Sequence, residues 1–216
     1  MSVFSLDDKQ RISRAITHAE AATSGEIVVV VAKRSDDYRF PALMWAALIA
    51  LTLPLILIYL PQLTRWRLAF SGPEVLYLIQ LICFIVLALL FQMPVIRHAL
   101  VPRSIKTLRT RRAAIEQFIT QDLHTTKKRT GVLIYVSLAE RQAEIVADDG
   151  INKKVDQSVW QKAVDALTKQ MGNGNPADGF ISAIEQCGTA MAAHYPPGAP
   201  DPNEHPNHLI ELDDGG

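Results

Sequence analysis

The stretch that decides the fold is EIVVVVA, residues Glu26–Ala32, an almost unbroken run of β-branched and apolar residues. A strand that is apolar on both faces has to be covered on both faces, as in sheets that carry helices above and below. A second run of this kind, VLIYVSL at residues 132–138, follows much later in the chain. Because neither half of the chain has enough strands for a sheet of its own, we expect both runs to pair in one sheet.

Amphipathic helices and one short strand flank these two runs. Apolar residues recur at helical spacing, and Ser5 before Asp7 and Asp8 is a plausible N-cap. Gly25 is suited to the left-handed position that ends the first helix. The expected helices cover residues 6–22, 105–124, 155–171 and 177–194, and the expected strand, in a hairpin with the second run, covers 143–147. The predicted class is α/β, a two-layer or three-layer sandwich with a small mixed sheet.

Two apolar segments, residues 42–62 and 75–96, lie between the two runs. Each is long enough, at roughly 30 Å, to cross the hydrocarbon layer of a membrane as a helix. Between Pro41 and Ile96 the only charged residues are Arg65, Arg67 and Glu74, all in the connecting loop. We therefore expect a two-helix transmembrane hairpin that interrupts the α/β domain. The alternative is a buried helical hairpin in a large globular core, for which the chain offers no equally apolar partner.

The basic residues near the span ends predict the orientation of the hairpin. Three precede the first span and six follow the second: Lys33, Arg34 and Arg39, then Arg97, Arg103, Lys106, Arg109, Arg111 and Arg112. The polar, helix-patterned N-terminus is not a signal peptide. The sequence thus predicts a multi-pass protein of the inner (cytoplasmic) membrane with both termini in the cytoplasm. The basic start of the 105–124 helix is interpreted as a face against anionic headgroups, with a specific ligand site as the alternative.

Composition narrows the organisation and the function classes. The 22 basic and 22 acidic residues give zero formal net charge, which argues against a nucleic-acid partner. Cys83 and Cys187 are far apart in sequence and Cys83 lies inside an apolar run, which argues against a structural disulfide or a zinc site. The predicted division is residues 1–40 and 98–195 for the two parts of the α/β domain, 41–97 for the hairpin and 196–216 for a disordered acidic tail.

Four segments together resemble the TPM domain family. They are SGEIVVVV at residues 24–31, GVLIYVSLAER at 131–141, Asp148-Asp149-Gly150 after the short strand, and Asp178-Gly179-Phe180 at the last helix. The chain is most similar to bacterial membrane proteins of this family in which a transmembrane hairpin interrupts the domain. The resemblance implies an α/β sandwich, and it associates the chain with phosphatase-like activity, divalent-metal binding and maintenance of membrane protein complexes. Typical relatives place the domain outside the cytoplasm, whereas the charge bias here places it inside.

The candidate site is a set of loop and helix-start aspartates: Asp148, Asp149, Asp156 and Asp178. Calcium or magnesium binds several carboxylate oxygens from loops, often beside a glycine such as Gly150 or Gly179. The alternative is structural, because aspartate at a helix start caps backbone N–H groups. No catalytic residue is predicted, since the chain has neither a Cys-x5-Arg loop nor an Asp-x-Asp pair at a strand end.

Two functions of different classes follow from these observations. The first is a membrane-anchored binding or assembly and maintenance module, with a divalent cation as candidate ligand and with other membrane proteins, besides the lipid bilayer, as candidate partners. The second is a metal-dependent, phosphatase-like hydrolase. The sequence leaves the substrate, the partner and the oligomeric state open.

Overall fold

The computed structural model describes residues 4–64, 72–126, 129–197 and 207–212, the side chains of 60–64 excepted. The chain forms two compact units. One consists of residues 1–36 together with 106–216, and the other of residues 37–105. The segment predicted to interrupt the α/β domain is therefore a separate unit.

The sheet of the first unit has four strands in the order β3-β2-β1-β4. They are β1 (Glu26–Ala32), β2 (Gly131–Ser137), β3 (Gln142–Ala147) and β4 (Leu209–Leu212). β1 is parallel to both β2 and β4, and β2 is antiparallel to β3. The register of β1 and β2 runs from Glu26 opposite Gly131 to Ala32 opposite Ser137. The prediction that the two apolar runs meet in one mixed sheet is confirmed.

Helices cover the sheet on both faces, so the sandwich has three layers. One face carries α1 (Leu6–Ala21), α7 (Gln157–Gly172) and α8 (Pro176–Ala192), and the other carries α5 (Arg103–Thr120) and a 3₁₀ turn (Leu123–Thr125). A short helix, α6 (Asp149–Asn152), follows β3. Alternate residues of β1 contact the two helical layers, Val29 one and Val30 the other. Continuous apolarity of the strand follows from this double burial.

The start of α1 is built as its sequence predicts, but its end is not. The Ser5 hydroxyl accepts the Asp8 backbone N–H at 3.1 Å, and the Asp8 carboxylate accepts the Ser5 N–H at 3.2 Å. The C-cap residue is Ala22, and its backbone conformation is right-handed, so the helix does not end with a left-handed glycine as predicted. Gly25 serves another purpose: a Cβ there would lie 2.9 Å from the Thr130 carbonyl oxygen. The strand can approach that loop closely only because residue 25 has no side chain.

The prediction of a disordered tail at residues 196–216 is wrong for its last described segment. Leu209–Leu212 form β4, which pairs with β1 from Val29 to Ala32. The free edge of β1 offers backbone donors and acceptors, Leu209 is buried in the core, and Glu211 forms an ion pair with Lys9 at 2.9 Å. The sequence around these four residues is acidic and rich in proline, so they were not predicted as a strand. Residues 198–206 and 213–216 of that predicted tail lie outside the described part of the chain.

Three large apolar residues of α5 lie outside the face that meets the sheet. Thr110, Ala114 and Phe118 are buried against the sheet. Leu108, Ile115 and Ile119 point outward, with 51%, 43% and 55% of their surface exposed. Ala114 and Phe118 pack in the same buried cluster as Tyr135 of β2.

The second unit contains α2 (Arg39–Thr64), α3 (Pro73–Leu90) and the short α4 (Pro94–Ala99). Two of its helical stretches, Arg39–Tyr59 and Pro73–Leu90, are long and apolar enough to cross a membrane. α2 contributes small side chains to the contact with α3, and Ala42 and Ala46 are buried there. No residue of α3 is buried in the described structure. The alternative of a hairpin buried in a globular core is therefore wrong.

Candidate functional site

The four aspartates predicted as metal ligands do not converge. Asp148 and Asp149 are neighbours at the start of α6, Asp156 is the N-cap of α7, and Asp178 lies in the first turn of α8. Asp178 forms an ion pair with Arg11 on α1, with 2.5 Å between guanidinium nitrogen and carboxylate oxygen. Within the described ranges, no group of three or more histidine, cysteine, aspartate or glutamate side chains could hold a metal ion.

Asp148 has structural partners for both of its carboxylate oxygens. It is 4% exposed, and the Nε atom of Arg129 donates to both oxygens at 3.0 Å. Oδ1 also accepts the backbone N–H of Asp149 at 2.7 Å. A buried carboxylate needs such compensation, and here a guanidinium and a helix start supply it. The geometry at Asp148 thus agrees with the structural alternative, helix capping, rather than with metal ligation.

Capping makes a testable prediction for Asp156, whose carboxylate accepts the Ser158 backbone N–H at 2.8 Å. A side-chain hydrogen bond with Ser158 is the largest cause of the lowered pKa of Asp156, and this backbone bond lowers it further. We expect Asp156→Ala to reduce the free energy of unfolding by about 1 kcal/mol, because one N–H at the start of α7 loses its partner. Asp165→Ala, at an exposed position inside the same helix, is the matched control and is expected to cost less. Urea denaturation with and without millimolar calcium measures both effects, and a calcium-dependent difference between the variants would argue for ligation instead.

A polar cavity of about 160 Å³ lies where the carboxyl ends of the parallel strands meet α5. Ser35 and Asp36 line it from the loop after β1, Tyr135 from β2, and Leu212 from the end of β4. β1 is the point where the connections diverge, since β2 lies on one side of it and β4 on the other. In α/β sheets, ligands bind outside the carboxyl ends of strands at such a point. Fold and cavity together make this edge of the sheet the candidate site.

A hydrogen-bonded network anchors the floor of the cavity. Glu140, in the turn between β2 and β3, accepts the Ser35 backbone N–H at 3.2 Å and also the hydroxyl of Ser137. The Ser35 hydroxyl lies 3.2 Å from the Tyr135 hydroxyl and donates to Thr110 on α5 at 3.5 Å. Burial raises the pKa of Tyr135, and the charges of Glu140 and Glu116 act in the same direction. Tyr135 therefore remains a neutral phenol, able to donate and accept a hydrogen bond.

The rim of the cavity is charged and comes from α5. Arg109 forms an ion pair with Asp36 at 3.1 Å, while Arg112 and Glu116 are exposed one turn further along. The Oε1 atom of Gln117 is buried and has no hydrogen-bond partner among the described residues. A ligand with an anionic or acceptor group for Arg112 and an N–H for Gln117 would satisfy both. Two carboxylates, those of Asp36 and Glu116, line the cavity together with its hydroxyls, and a carboxylate is a side chain that can act as a general base.

Sequence reasoning missed these cavity residues. The signals were present but weak: polar Ser35-Asp36-Asp37 directly follow a buried strand, and Arg109 and Arg112 are spaced to share one side of a helix. Both arginines were interpreted as part of a headgroup-facing helix. What could not be seen is that Tyr135, an apparent core residue, presents its hydroxyl to Ser35, which is one hundred positions away.

Fold and site define a three-layer α/β module with a cavity at its sheet edge and an apolar helical hairpin inserted between its first two strands. A family model described as the TPM domain matches residues 96–190, and this match confirms the resemblance over that part of the chain. The NMR structure of the BA42 protein from the psychrophilic bacterium Bizionia argentinensis is similar with a TM-score of 0.59 and 21% identity. The match covers 98% of this chain and 97% of that one, and it is a likeness of fold. No curated protein matches the chain.

Proposed function

We propose that this chain is a membrane-anchored binding module that supports the assembly or maintenance of other membrane proteins at the cytoplasmic face of the inner membrane. The observation that carries the proposal is the uncovered apolar surface of the hairpin unit. In this view the chain is one of the TPM-domain membrane proteins whose domain is interrupted by a transmembrane hairpin. The cavity at the carboxyl ends of β1 and β2 would be its ligand site.

The exposed surface of the hairpin favours lipid over water as its surroundings. Large apolar side chains of α3 such as Ile82 and Leu89 are 58% and 66% exposed. Contiguous apolar patches beyond a few hundred Å² are rare on soluble monomers. Both spanning stretches are free of acidic and basic residues apart from Arg39 and Glu74 at their starts, which suits a hydrocarbon layer about 30 Å thick.

Labelling of single cysteines in intact cells tests the proposed topology. In a Cys83→Ser background, with Cys187 fully buried, we expect Glu74→Cys at the start of α3 to react with an impermeant thiol reagent added from outside. Lys169→Cys, exposed on α7, should react only after the cells are permeabilised. The reverse pattern would place the domain outside the cytoplasm, and labelling of both positions from one side would exclude a membrane-spanning hairpin.

Loss of a partner tests the binding role of the cavity. Arg112 lines the cavity, whereas its neighbour Arg111 does not, so the two arginines form a matched pair on α5. We expect a membrane protein that co-purifies reproducibly with the full chain from native membranes to be depleted at least fivefold by Arg112→Ala and to be retained by Arg111→Ala. A factor of five corresponds to about 1 kcal/mol, which is less than the roughly 1.5–3 kcal/mol that a hydrogen bond to a charged group usually contributes. Equal retention in both variants would exclude the cavity as the contact.

A phosphoester hydrolase is the second candidate function, and the matching family model is itself named TPM_phosphatase. The arginines of the cavity support it, because guanidinium groups suit phosphate oxygens. Release of phosphate from a generic phosphoester, with magnesium or calcium present, is the assay. Activity that survives Asp148→Ala and Asp178→Ala would reject the aspartates as its metal ligands, while loss of activity in Arg112→Ala alone would place the reaction in the cavity.

A further inference from the structure

Two polar side chains lie well inside the described spans of the hairpin, and they differ in how they are satisfied. Thr52 on α2 donates its hydroxyl to the carbonyl oxygens of Leu48 and Ile49, at 3.1 Å and 3.0 Å. These bonds lie within its own helix, so Thr52 needs no other partner. The carboxamide of Gln80 on α3 forms no hydrogen bond with any described residue. Gln80 is thus the unsatisfied group of the pair.

Gln80 lies near the middle of its span. It is seven residues from Pro73 and ten from Leu90, which places it roughly 10 Å and 15 Å from the two ends of α3. The residue lines an open groove of about 270 Å³ between the two helices. From α2 the groove is lined by Ala47, Ala50 and Leu51, and from α3 also by Tyr77, Leu81 and Phe84. Water cannot reach such a depth in a hydrocarbon layer, so the amide has to find a protein partner there.

A second carboxamide at the same depth is the simplest partner for this group. An amide without a hydrogen bond in an apolar environment costs several kcal/mol, whereas two amides can each donate one N–H and accept one. Polar side chains of this kind associate transmembrane helices, and small residues beside them allow the helix backbones to approach. Ala47 and Ala50 supply small residues in the same groove.

We infer that the hairpin associates with a second copy of this chain, with the Gln80 carboxamides of the two copies hydrogen-bonded to each other across a twofold axis. In a twofold interface the same surface patch of both copies has to be self-complementary, and a carboxamide meets this condition because it is both donor and acceptor. An unrelated helix would have to bring its own amide to this depth. The inference rests on the proposed membrane insertion of the hairpin.

Reconstitution of the full chain tests the dimer. The protein, carrying one fluorophore per chain, is placed in phosphatidylcholine–phosphatidylglycerol vesicles over a range of protein-to-lipid ratios, and single-molecule photobleaching counts the copies. We expect two bleaching steps for the native chain, and for Gln80→Leu a dissociation constant about tenfold higher, as for the loss of roughly 1–2 kcal/mol of helix–helix hydrogen bonding. Thr52→Val is the matched control and should dimerise like the native chain. Gln80→Asn, which keeps the carboxamide, should retain most of the dimer.

Two results would overturn the inference, and a third would overturn its basis as well. A native chain that stays monomeric at all ratios, or Gln80→Leu that dimerises as tightly as the native chain, excludes pairing through Gln80. Both results count only if the protein is inserted in the bilayer, which is checked by its resistance to extraction from the vesicles with alkaline carbonate. Protein that is extracted would show that the hairpin does not span the bilayer, so membrane insertion and the dimer would fall together.

Discussion

Replacing Glu20 with glutamine is expected to stabilise the protein at pH 8 and to remove most of a loss of stability that the native chain shows between pH 5 and pH 8. Glu20 lies near the end of α1, and its carboxyl group accepts the Ile27 backbone N–H at 2.9 Å. Burial raises the pKa of Glu20 to about 8, and the nearby charge of Glu26 adds to the rise. The neutral acid is thus the form that suits the folded protein.

The sign of the pH dependence follows from this raised pKa. In the unfolded chain a glutamate titrates at about pH 4.3, so between about pH 4.3 and pH 8 the folded state holds a proton that the unfolded state has lost. Stability is fully present below the unfolded pKa and falls as the pH rises through the folded one. The limiting slope for one group is about 1.4 kcal/mol per pH unit. Because Glu20 retains some contact with solvent, we expect a smaller total loss, about 1–2 kcal/mol from pH 5 to pH 8.

Urea denaturation at pH 5 and pH 8 measures this effect. The glutamine of the Glu20→Gln variant would still accept the Ile27 N–H but could not ionise, so the stability of the variant should be nearly constant over this range. Glu185→Gln, at an exposed position on α8, is the matched control and should keep the native pH dependence. If Glu20→Gln loses as much stability as the native chain, a group other than Glu20 is responsible for the pH dependence.

The parts of the fold that sequence reasoning predicted are those in which one element carries its own signal. The valines of β1 require burial on both faces of the strand. This requirement predicted the pairing of β1 with β2, although the hairpin lies between them in the chain. The helix predicted at residues 105–124 is present as α5, although its apolar residues Leu108, Ile115 and Ile119 are exposed. β4 was not predicted because its four residues form a strand only by pairing with the free edge of β1, and this pairing leaves no signal in the segment itself.

The candidate site could not be predicted for a related reason. Asp148 and Asp156 stood out in the sequence as candidate ligands. In the structure their carboxylates accept backbone N–H groups at helix starts, so they act as caps. The cavity instead combines Ser35, Arg112 and Tyr135 from three elements that are distant along the chain. Only the parallel pairing of β1 with β2 and the rotation of α5 bring them together. None of these residues is unusual in its own segment.

The segment Asp178-Gly179-Phe180 shows that a family-like motif can be structural, and it leads to the prediction with the largest expected effect. Phe180 is completely buried, and its ring meets that of Phe4 edge-on with 5.7 Å between centroids. A Cβ at residue 179 would lie 3.1 Å from the Leu167 carbonyl oxygen, so glycine allows α8 to approach α7 closely. Asp178 pairs with Arg11 on α1. The three residues thus join α8 to α1 and α7.

We expect Phe180→Ala to lower the free energy of unfolding by about 3–5 kcal/mol, because a fully buried ring is removed from a core that cannot collapse around the cavity it leaves. Leu6→Ala, at a position that is 81% exposed in the same unit, should change stability by less than about 0.5 kcal/mol. Guanidinium denaturation of the full chain in detergent, followed by far-ultraviolet circular dichroism, distinguishes the two variants. A loss below about 1 kcal/mol for Phe180→Ala would mean that this segment is not held by packing, and a binding role for it would have to be considered again. A large loss would indicate that this segment, which carries part of the resemblance, preserves the fold.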